Sequence, residues 1–193
     1  ALINSNITLF RYEWIWEKTM ASNFALSRKQ PFKKHENIAV FYKKQPNYNP
    51  QMEQGKPYTD KREKGKRNAS VGTAKGVKRN AINNTGTRFP SSVQKFSNGN
   101  NRNVHPTQKP VSLFEYLIKT YTNERETVLD SCMGSGTTAV AAMRTNRNFI
   151  GFEIEAEYIQ IAQKRIEDTR NLMEQGDLFT LDNLGASTKE EAE

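Results

Sequence analysis

Two carboxylates beside a glycine turn are the first residues whose types and spacing point to chemistry. Asp130, Ser131, Cys132, Met133, Gly134, Ser135 and Gly136 close one apolar stretch, TVLDS, and open another, TTAVAAMRT. A strand that ends in glycines and runs into a helix lets the backbone approach a ligand closely, with helix N–H groups aimed at it. Taken alone, a G-x-G is open to three readings: a nucleotide phosphate loop, a loop for a non-phosphate cofactor, or a plain tight turn. The phosphate cradle G-x-x-x-x-G-K-S/T is absent, because Thr137 rather than lysine follows Gly136, and this argues against an NTPase. Gly134, Gly136 and Ala139 match the loose dinucleotide pattern, yet Asp130 at the strand end would repel a pyrophosphate. S-Adenosylmethionine carries a sulfonium and an ammonium and no phosphate, so a carboxylate there attracts it.

The second carboxylate strengthens that choice. Glu153 ends the apolar run NFIGFE, 17 residues after Gly136. That is close to the spacing of about 20 residues at which an acidic side chain caps the ribose hydroxyls of an adenosine ligand. The competing reading is an acid answering the dipole of the following helix, as Glu155 and Glu157 do. The ribose role is preferred for Glu153, and Glu155 and Glu157 are read as structural. Cys132, the single cysteine, excludes an internal disulfide and any multi-cysteine zinc site, and is read as a small buried hydrophobe rather than a nucleophile. His35, beside Glu36 in a basic loop, reads as a surface residue, and His105 as structural or part of a cofactor loop. No metal site is expected.

The elements that position these residues follow from periodicity. Tyr12, Trp14 and Trp16 alternate with Glu13, Ile15 and Glu17 at the strand period, and IAVFY (38–42) reads as a buried strand. Pro110 stands where a first helical residue belongs, and Leu113, Phe114, Leu117, Ile118 and Tyr121 predict a helix over about 110–122. A strand (127–131), a helix (137–145), a strand (148–153) and a final helix with Tyr158, Ile161, Ala162 and Ile166 on one face complete a βαβα alternation. That alternation implies an α/β fold with a mostly parallel sheet.

The charge is unevenly distributed. The 193 residues hold 29 Lys and Arg against 21 Asp and Glu, a formal charge of +8 that favours a polyanionic partner, nucleic acid ahead of an anionic membrane surface. Residues 28–104 hold 18 basic and 4 acidic side chains, whereas 105–193 hold 9 and 15. One segment for phosphates and another for a fold and a different ligand is the pattern implied; a solvated lysine-rich loop is the plainer alternative. From 47 to 103 the chain is rich in Asn, Lys, Gly, Gln and Ser and poor in apolar residues, so it has little means of building a core. With a mean hydropathy of -0.82 and no apolar run long enough to span a bilayer, a soluble intracellular protein is expected. The chain opens on Ala1 with no signal-peptide pattern, so it is expected to begin partway through a longer protein.

HPTQKPVSLFEYLI (105–118), VLDSCMGSGTTAVAA (128–142) and FIGFEIEAEYIQIAQKRI (149–166), in that order, resemble the DNA methyltransferases that modify exocyclic amines of adenine-N6 and cytosine-N4. The order is that of the beta group, in which the cofactor half follows the catalytic half. WIWEKTMASNF and PFKKHENIAVFYK resemble the segment joining the catalytic strand to the recognition region. The resemblance implies a Rossmann-like methyltransferase sheet, incomplete at its N-terminal side, with S-adenosylmethionine across its first two strands. It implies residues 1–43 as the end of the catalytic subdomain, 44–104 as a basic target-recognition insertion, 105–173 as the cofactor subdomain and 174–193 as a disordered tail. Asp130, Ser131, Cys132, Gly134, Ser135, Gly136 and Thr137 are then expected along the methionine part, Glu153 on the ribose, and Thr107, Gln108, Lys109 and Pro110 beside the cofactor's amino acid end.

The chain departs from the family pattern twice. The usual Asp-Pro-Phe before the glycines is here Asp130, Ser131, Cys132, and the catalytic motif D/N/S-P-P-Y/F/W does not occur in the 193 residues. In the family order that motif precedes residue 1, so the chain reads as a carboxy-terminal portion that transfers no methyl group alone. The alternatives are an inactive cofactor- or DNA-binding protein and an NAD-type dinucleotide binder. The implied activity is site-specific methylation of double-stranded DNA within restriction-modification, most nearly at adenine N6 on resemblance to phage-type enzymes, in a bacterial or phage-encoded cytoplasmic protein. Lys56, Lys61, Arg62, Lys64, Lys66, Arg67, Lys75, Lys78, Arg79 and Arg88 are the expected phosphate contacts. Trp14 and Trp16 could stack a base but fit a core face better, and activity in the short chain would turn the search for a catalytic site to Trp14, Trp16, Tyr48 and Tyr58.

Overall fold

The computed structural model describes residues 2–60, 82–98 and 108–176. Two compact units are present, one of Ala1–Asn49 with Ser91–Glu193 and one of Pro50–Pro90. The first contains α1 (Leu2–Ser5), β1 (Phe10–Ser22), a single 3-10 turn and β2 (Lys33–Phe41). The second contains β3 (Glu53–Gln54), β4 (Tyr58–Asp60), β5 (Ile82–Asn84) and β6 (Thr87–Arg88). The chain then returns to the first unit with β7 (Val93–Phe96), α2 (Val111–Tyr121), β8 (Thr127–Asp130), α3 (Thr137–Arg144), β9 (Asn148–Gly151) and α4 (Ala156–Glu174).

The alternation read from Tyr12 to Glu17 is a true strand pleat. In the order β2-β1-β7, β1 pairs antiparallel with β2 and parallel with β7, setting Trp14 opposite Ile38, Trp16 opposite Glu36, and Lys18 opposite Phe96. Trp14 and Trp16 are 4% exposed, which places them in the core and removes them as base-stacking platforms. Their polar edges are answered: Trp14 Nε1 donates to the Tyr121 hydroxyl at 2.6 Å and Trp16 Nε1 to the Phe96 carbonyl at 3.0 Å. Tyr116 of α2 packs edge-on against both Trp14 and Phe96, so α2 covers this face. The 38–42 run is half-buried rather than buried, because β2 is an edge strand with a ladder on one side only. His35 lies within β2, not in a loop, and is exposed.

β8, α3 and β9 form the parallel unit that the alternation implies, with Thr127 opposite Asn148 and Asp130 opposite Gly151. Val128 and Phe149 point to one side, onto a core of Ile118, Ala141 and Ala142 with Val111 and Phe114. Their strand neighbours point the other way, and Leu129 and Ile150 are 65% and 51% exposed. Three boundaries differ from the sequence reading. Pro110 is the N-cap of α2 in extended geometry (φ −64°, ψ 135°) rather than its first helical residue. β8 ends at Asp130 and β9 at Gly151, so Ser131 and Glu153 lie beyond the strands. The regular ladder stops there because the Phe152 N–H donates to the Asp130 carbonyl while its carbonyl accepts from Met133 rather than Cys132, which leaves an extra residue on the β8 side.

The Pro50–Pro90 unit consists, in its described residues, of two short antiparallel ladders, β3–β6 and β4–β5. Asn84 and Gly86 shape the turn between β5 and β6, the Gly86 N–H donating to Asn84 Oδ1 at 2.7 Å. The flanks of the 44–104 segment lie with the first unit: the Asn49 N–H donates to the Thr120 carbonyl, and β7 joins β1. Among the described residues no helix is long and apolar enough to cross a membrane.

Candidate functional site

The glycine turn sits at the carboxyl ends of β8 and β9, where open parallel sheets bind ligands. Asp130, the last residue of β8, accepts from the Cys132 N–H at 3.0 Å and from the Thr138 hydroxyl, so it ties the strand end to the first turn of α3. Gly136 is the N-cap of α3 at φ 81°. A Cβ there would meet Ala162 Cβ at 3.0 Å and its Cα at 3.1 Å, so both the positive φ and the approach of α4 require glycine. Gly134, also left-handed at φ 53°, donates its N–H to Glu153 Oε2 at 2.7 Å. Glu153 Oε1 accepts from the N–H groups of Ile154 and Glu155 at 2.9 and 3.1 Å. One carboxylate thus staples the glycine turn to the start of α4. Glu155, the N-cap of α4, is exposed and makes no side-chain capping bond.

A second segment leans on the same turn. Gln108 Oε1 accepts from the Ser135 hydroxyl at 3.3 Å, and the Lys109 carbonyl accepts from the Thr137 hydroxyl at 3.4 Å. From α4, Arg165 Nη1 donates to the Ser135 carbonyl at 2.5 Å and to the Ser135 hydroxyl at 3.0 Å; burial lowers its pKa. Lys109 Nζ donates to Glu36 Oε2 at 2.8 Å, and Lys18 lies 2.5 Å from the other oxygen of the same carboxylate. Burial alone would raise the Glu36 pKa, but the hydrogen bonds and positive charges of Lys109 and Lys18 outweigh it and hold the pKa below the usual carboxylate value.

Of the expected cofactor residues, hydrogen bonds join Gln108 to Ser135, Lys109 to Thr137, Gly134 to Glu153 and Asp130 to Cys132. Pro110 is buried, and Thr107 lies outside the described residues. Ser131 and Cys132 are exposed, which corrects the reading of Cys132 as a buried hydrophobe: it stands on the turn after β8, beyond the covered face. Thr138, Arg165, Glu36 and Lys18 were not legible as site residues, although Arg165 lies three residues after Ala162 on the same helix face. A cavity of about 290 Å3 opens beside the turn, lined by Met133, Gly151, Phe152, Glu153, Ile159 and Ile166 among others. A cavity of about 330 Å3, lined by Arg125, Arg147 and Arg170 among others, includes Asn148 at the opposite end of β9, remote from both carboxylates.

Of the expected phosphate contacts, Lys56 and Arg88 are described and both are exposed. Arg88 is partly engaged, donating to the Lys56 carbonyl at 3.0 Å and lying 5.7 Å from the Tyr58 ring centroid. Lys61, Arg62, Lys64, Lys66, Arg67, Lys75, Lys78 and Arg79, and also His105, lie outside the described residues. Among the described residues no three His, Cys, Asp or Glu side chains cluster as metal ligands.

The type II methyltransferase M.HpaI of Haemophilus parainfluenzae is 40% identical over 95 residues, 47% of this chain and 30% of that protein. M2.DpnII of Streptococcus pneumoniae is 52% identical over 63 residues, 33% of this chain and 24% of that protein. The chain therefore matches about a third or less of the length of these relatives. Among solved structures, the M1.HpyAVI–SAM complex superposes with a TM-score of 0.52 at 28% identity, covering 81% of this chain and 62% of that one. The cytosine-N4-specific PvuII DNA methyltransferase, at 20% identity and a TM-score of 0.56, shares the α/β fold over 88% of this chain and 59% of its own. The DNA methylase family model N6_N4_Mtase matches residues 2–164, and the chain belongs to that family.

Proposed function

We propose that the protein carrying this chain transfers a methyl group from S-adenosylmethionine to an exocyclic amino group of a base in double-stranded DNA, most nearly adenine N6. The observation that carries the reading is the pair of carboxylates, Asp130 and Glu153, that shape a glycine turn at two adjacent parallel strand ends. Such a turn suits a ligand with cationic and hydroxyl groups and disfavours a pyrophosphate. A carboxylate has about four lone-pair sites, so Asp130 keeps acceptor capacity beyond the Cys132 and Thr138 bonds. When bound, S-adenosylmethionine supplies an electrophilic methyl on a positively charged sulfur.

The chain's residues would hold that methyl in line with the amine. Glu153 accepts from the ribose hydroxyls, the 108–110 segment and Thr137 bracket the amino acid end, and the basic residues of 44–104 take up DNA phosphates. A base amine is a poor nucleophile because its lone pair is delocalised into the ring, so the base must be flipped out and its amine hydrogens accepted before transfer. The D/N/S-P-P-Y/F/W segment that does this in the family is not among the 193 residues. That observation favours a second reading for this chain in isolation, a cofactor- and DNA-binding fragment without transferase activity.

Two measurements separate the readings. Calorimetric titration should show S-adenosylmethionine binding and no NADH binding of comparable strength; the reverse overturns the cofactor assignment. Tritiated methyl transfer to unmethylated genomic DNA should appear in the chain extended upstream through the missing motif, with the label recovered as N6-methyladenine. Recovery as N4-methylcytosine would correct the base.

A further inference from the structure

The segment that brackets the proposed cofactor site is anchored from a strand far away in sequence. Trp16 and Lys18 are two apart on β1 and so share a face, and Glu36 of β2 is the direct cross-strand partner of Trp16. All three lie on the face that α2 covers. Lys18 Nζ is 2.5 Å from Glu36 Oε1, and Lys109 Nζ donates to Glu36 Oε2 at 2.8 Å, so the carboxylate bridges two lysines. Both ammonium groups also lie over the Trp16 ring, at 5.2 and 5.8 Å from its centroid. Trp16 is buried and held by its bond to the Phe96 carbonyl, which makes the sheet a fixed base. The backbone of Lys109 faces the other way and accepts from Thr137 in the first turn of α3, while Gln108 accepts from Ser135. Lys109 is therefore gripped by its side chain on the sheet and by its carbonyl on the glycine turn.

We propose that Glu36 is a positioning residue for the cofactor segment: through Lys109 it holds residues 108–110 against the glycine turn, so that S-adenosylmethionine affinity depends on a β2 carboxylate that never touches the cofactor. The inference rests on the cofactor reading above. Without Glu36, Lys18 and Lys109 face each other over one ring with no anion between them, and their repulsion drives the 108–110 segment away from Ser135 and Thr137.

The test uses the whole protein and measures the S-adenosylmethionine dissociation constant by calorimetry, the cofactor KM and kcat at saturating DNA, and the melting temperature. Glu36→Ala and Lys109→Met should each weaken cofactor binding and raise its KM about tenfold or more, with kcat changed less than about twofold. The double variant should be no worse than the worse single one, because both remove the same strut. Glu36→Gln keeps the size and one acceptor oxygen and should fall between wild type and Glu36→Ala, which guards against a variant that merely unfolds. A lower melting temperature with an unchanged dissociation constant overturns the proposal, since the cluster would then serve stability alone. Failure of the unsubstituted protein to bind S-adenosylmethionine overturns the cofactor reading and the strut's role with it; tight binding by both wild type and Glu36→Ala overturns the strut alone.

Discussion

The glycine turn and the Pro50–Pro90 unit prepare for ligands in opposite ways. Around Gly134 and Gly136, the side chains of Asp130, Ser135, Thr137, Thr138, Glu153 and Arg165 answer one another or the backbone, so the shape is set before any ligand arrives. In the other unit the described residues form two ladders of two and three residue pairs, and Lys56 and Arg88 are exposed, Arg88 with one bond to the Lys56 carbonyl. Binding at the first region is a matter of geometry and should be sensitive to a single methyl group. Binding at the second is a matter of charge and should be sensitive to salt and to sign.

The largest effect separates what either region can do without the missing catalytic segment. The 193-residue chain should give methyl transfer at background level in the tritium assay, while retaining cofactor and DNA binding. Its sequence holds no D/N/S-P-P-Y/F/W segment to accept the amine hydrogens of a flipped base, and without such a segment the in-line geometry is lost. Transfer by the short chain would move the catalytic search to Tyr48 and Tyr58, since Trp14 and Trp16 are buried.

Next comes charge. Reversing Lys61, Arg62, Lys64, Lys66 and Arg67 should weaken duplex DNA binding and flatten its dependence on salt, by roughly 0.9 in the logarithmic slope for each phosphate that is no longer neutralised. Cofactor affinity measured on the same variant should not change. If affinity and slope both survive, the segment is a spacer, and the contrast between a charge-reading and a shape-reading region fails.

Gly136→Ala probes the shape-reading region with one methyl group. The left-handed φ costs about 1–3 kcal/mol for a non-glycine residue. Relief of the clash with Ala162 requires α4 to move away from the turn, and with it Arg165 and its bonds to Ser135. If about 2 kcal/mol of that strain is relieved only by opening the turn, cofactor affinity should fall roughly thirtyfold, at about 1.4 kcal/mol per factor of ten. DNA binding at low salt should be preserved. A cofactor constant within threefold of wild type would show that the turn is not a contact surface.

How far this was visible beforehand differs by kind of signal. The βαβα alternation, the core positions of Trp14 and Trp16, and the glycine turn with its two carboxylates are local patterns, readable because period and turn chemistry act over a few residues. The exposure of Cys132 was not, since β8 ends at Asp130 and leaves Cys132 on a turn, where the strand period no longer decides which side chains are covered. The structural bonds of Glu153 were also hidden: its distance from Gly136 suggested a ligand contact, but the bond to the Gly134 N–H arises only when the exits of β8 and β9 are held side by side. Glu36 and Lys109 are 73 residues apart, and no spacing rule connects them.

Glu153→Ala should have a smaller effect than Gly136→Ala, because it removes one carboxylate and leaves the backbone free to keep its turn. Three N–H groups, those of Gly134, Ile154 and Glu155, lose their acceptor. Cofactor affinity should drop about tenfold, the equivalent of about 1.4 kcal/mol. Glu155→Ala, two residues on and without a capping bond, should bind as wild type in the same calorimeter. Equal losses in both variants would reduce Glu153 to a general acidic contribution at the start of α4.

The smallest effect concerns acid. The Glu36 carboxylate is held below its ordinary value of 4.5, the bonds and charges of Lys109 and Lys18 outweighing its partial burial. A carboxylate whose folded pKa is depressed contributes stability that is present above its unfolded pKa and is lost as pH falls through the lower folded value. Melting temperatures of wild type and Glu36→Gln should therefore differ by a constant amount near neutrality, and the gap should begin to close below about pH 4.5 and vanish once the folded carboxyl is protonated. Salt should narrow the gap only modestly, because the pair is partly shielded by Trp16, whereas the DNA binding proposed for the basic segment should fall steeply over the same range. A gap that stays constant down to pH 3 would mean that size and packing at position 36, not its charge, stabilise this part of the molecule.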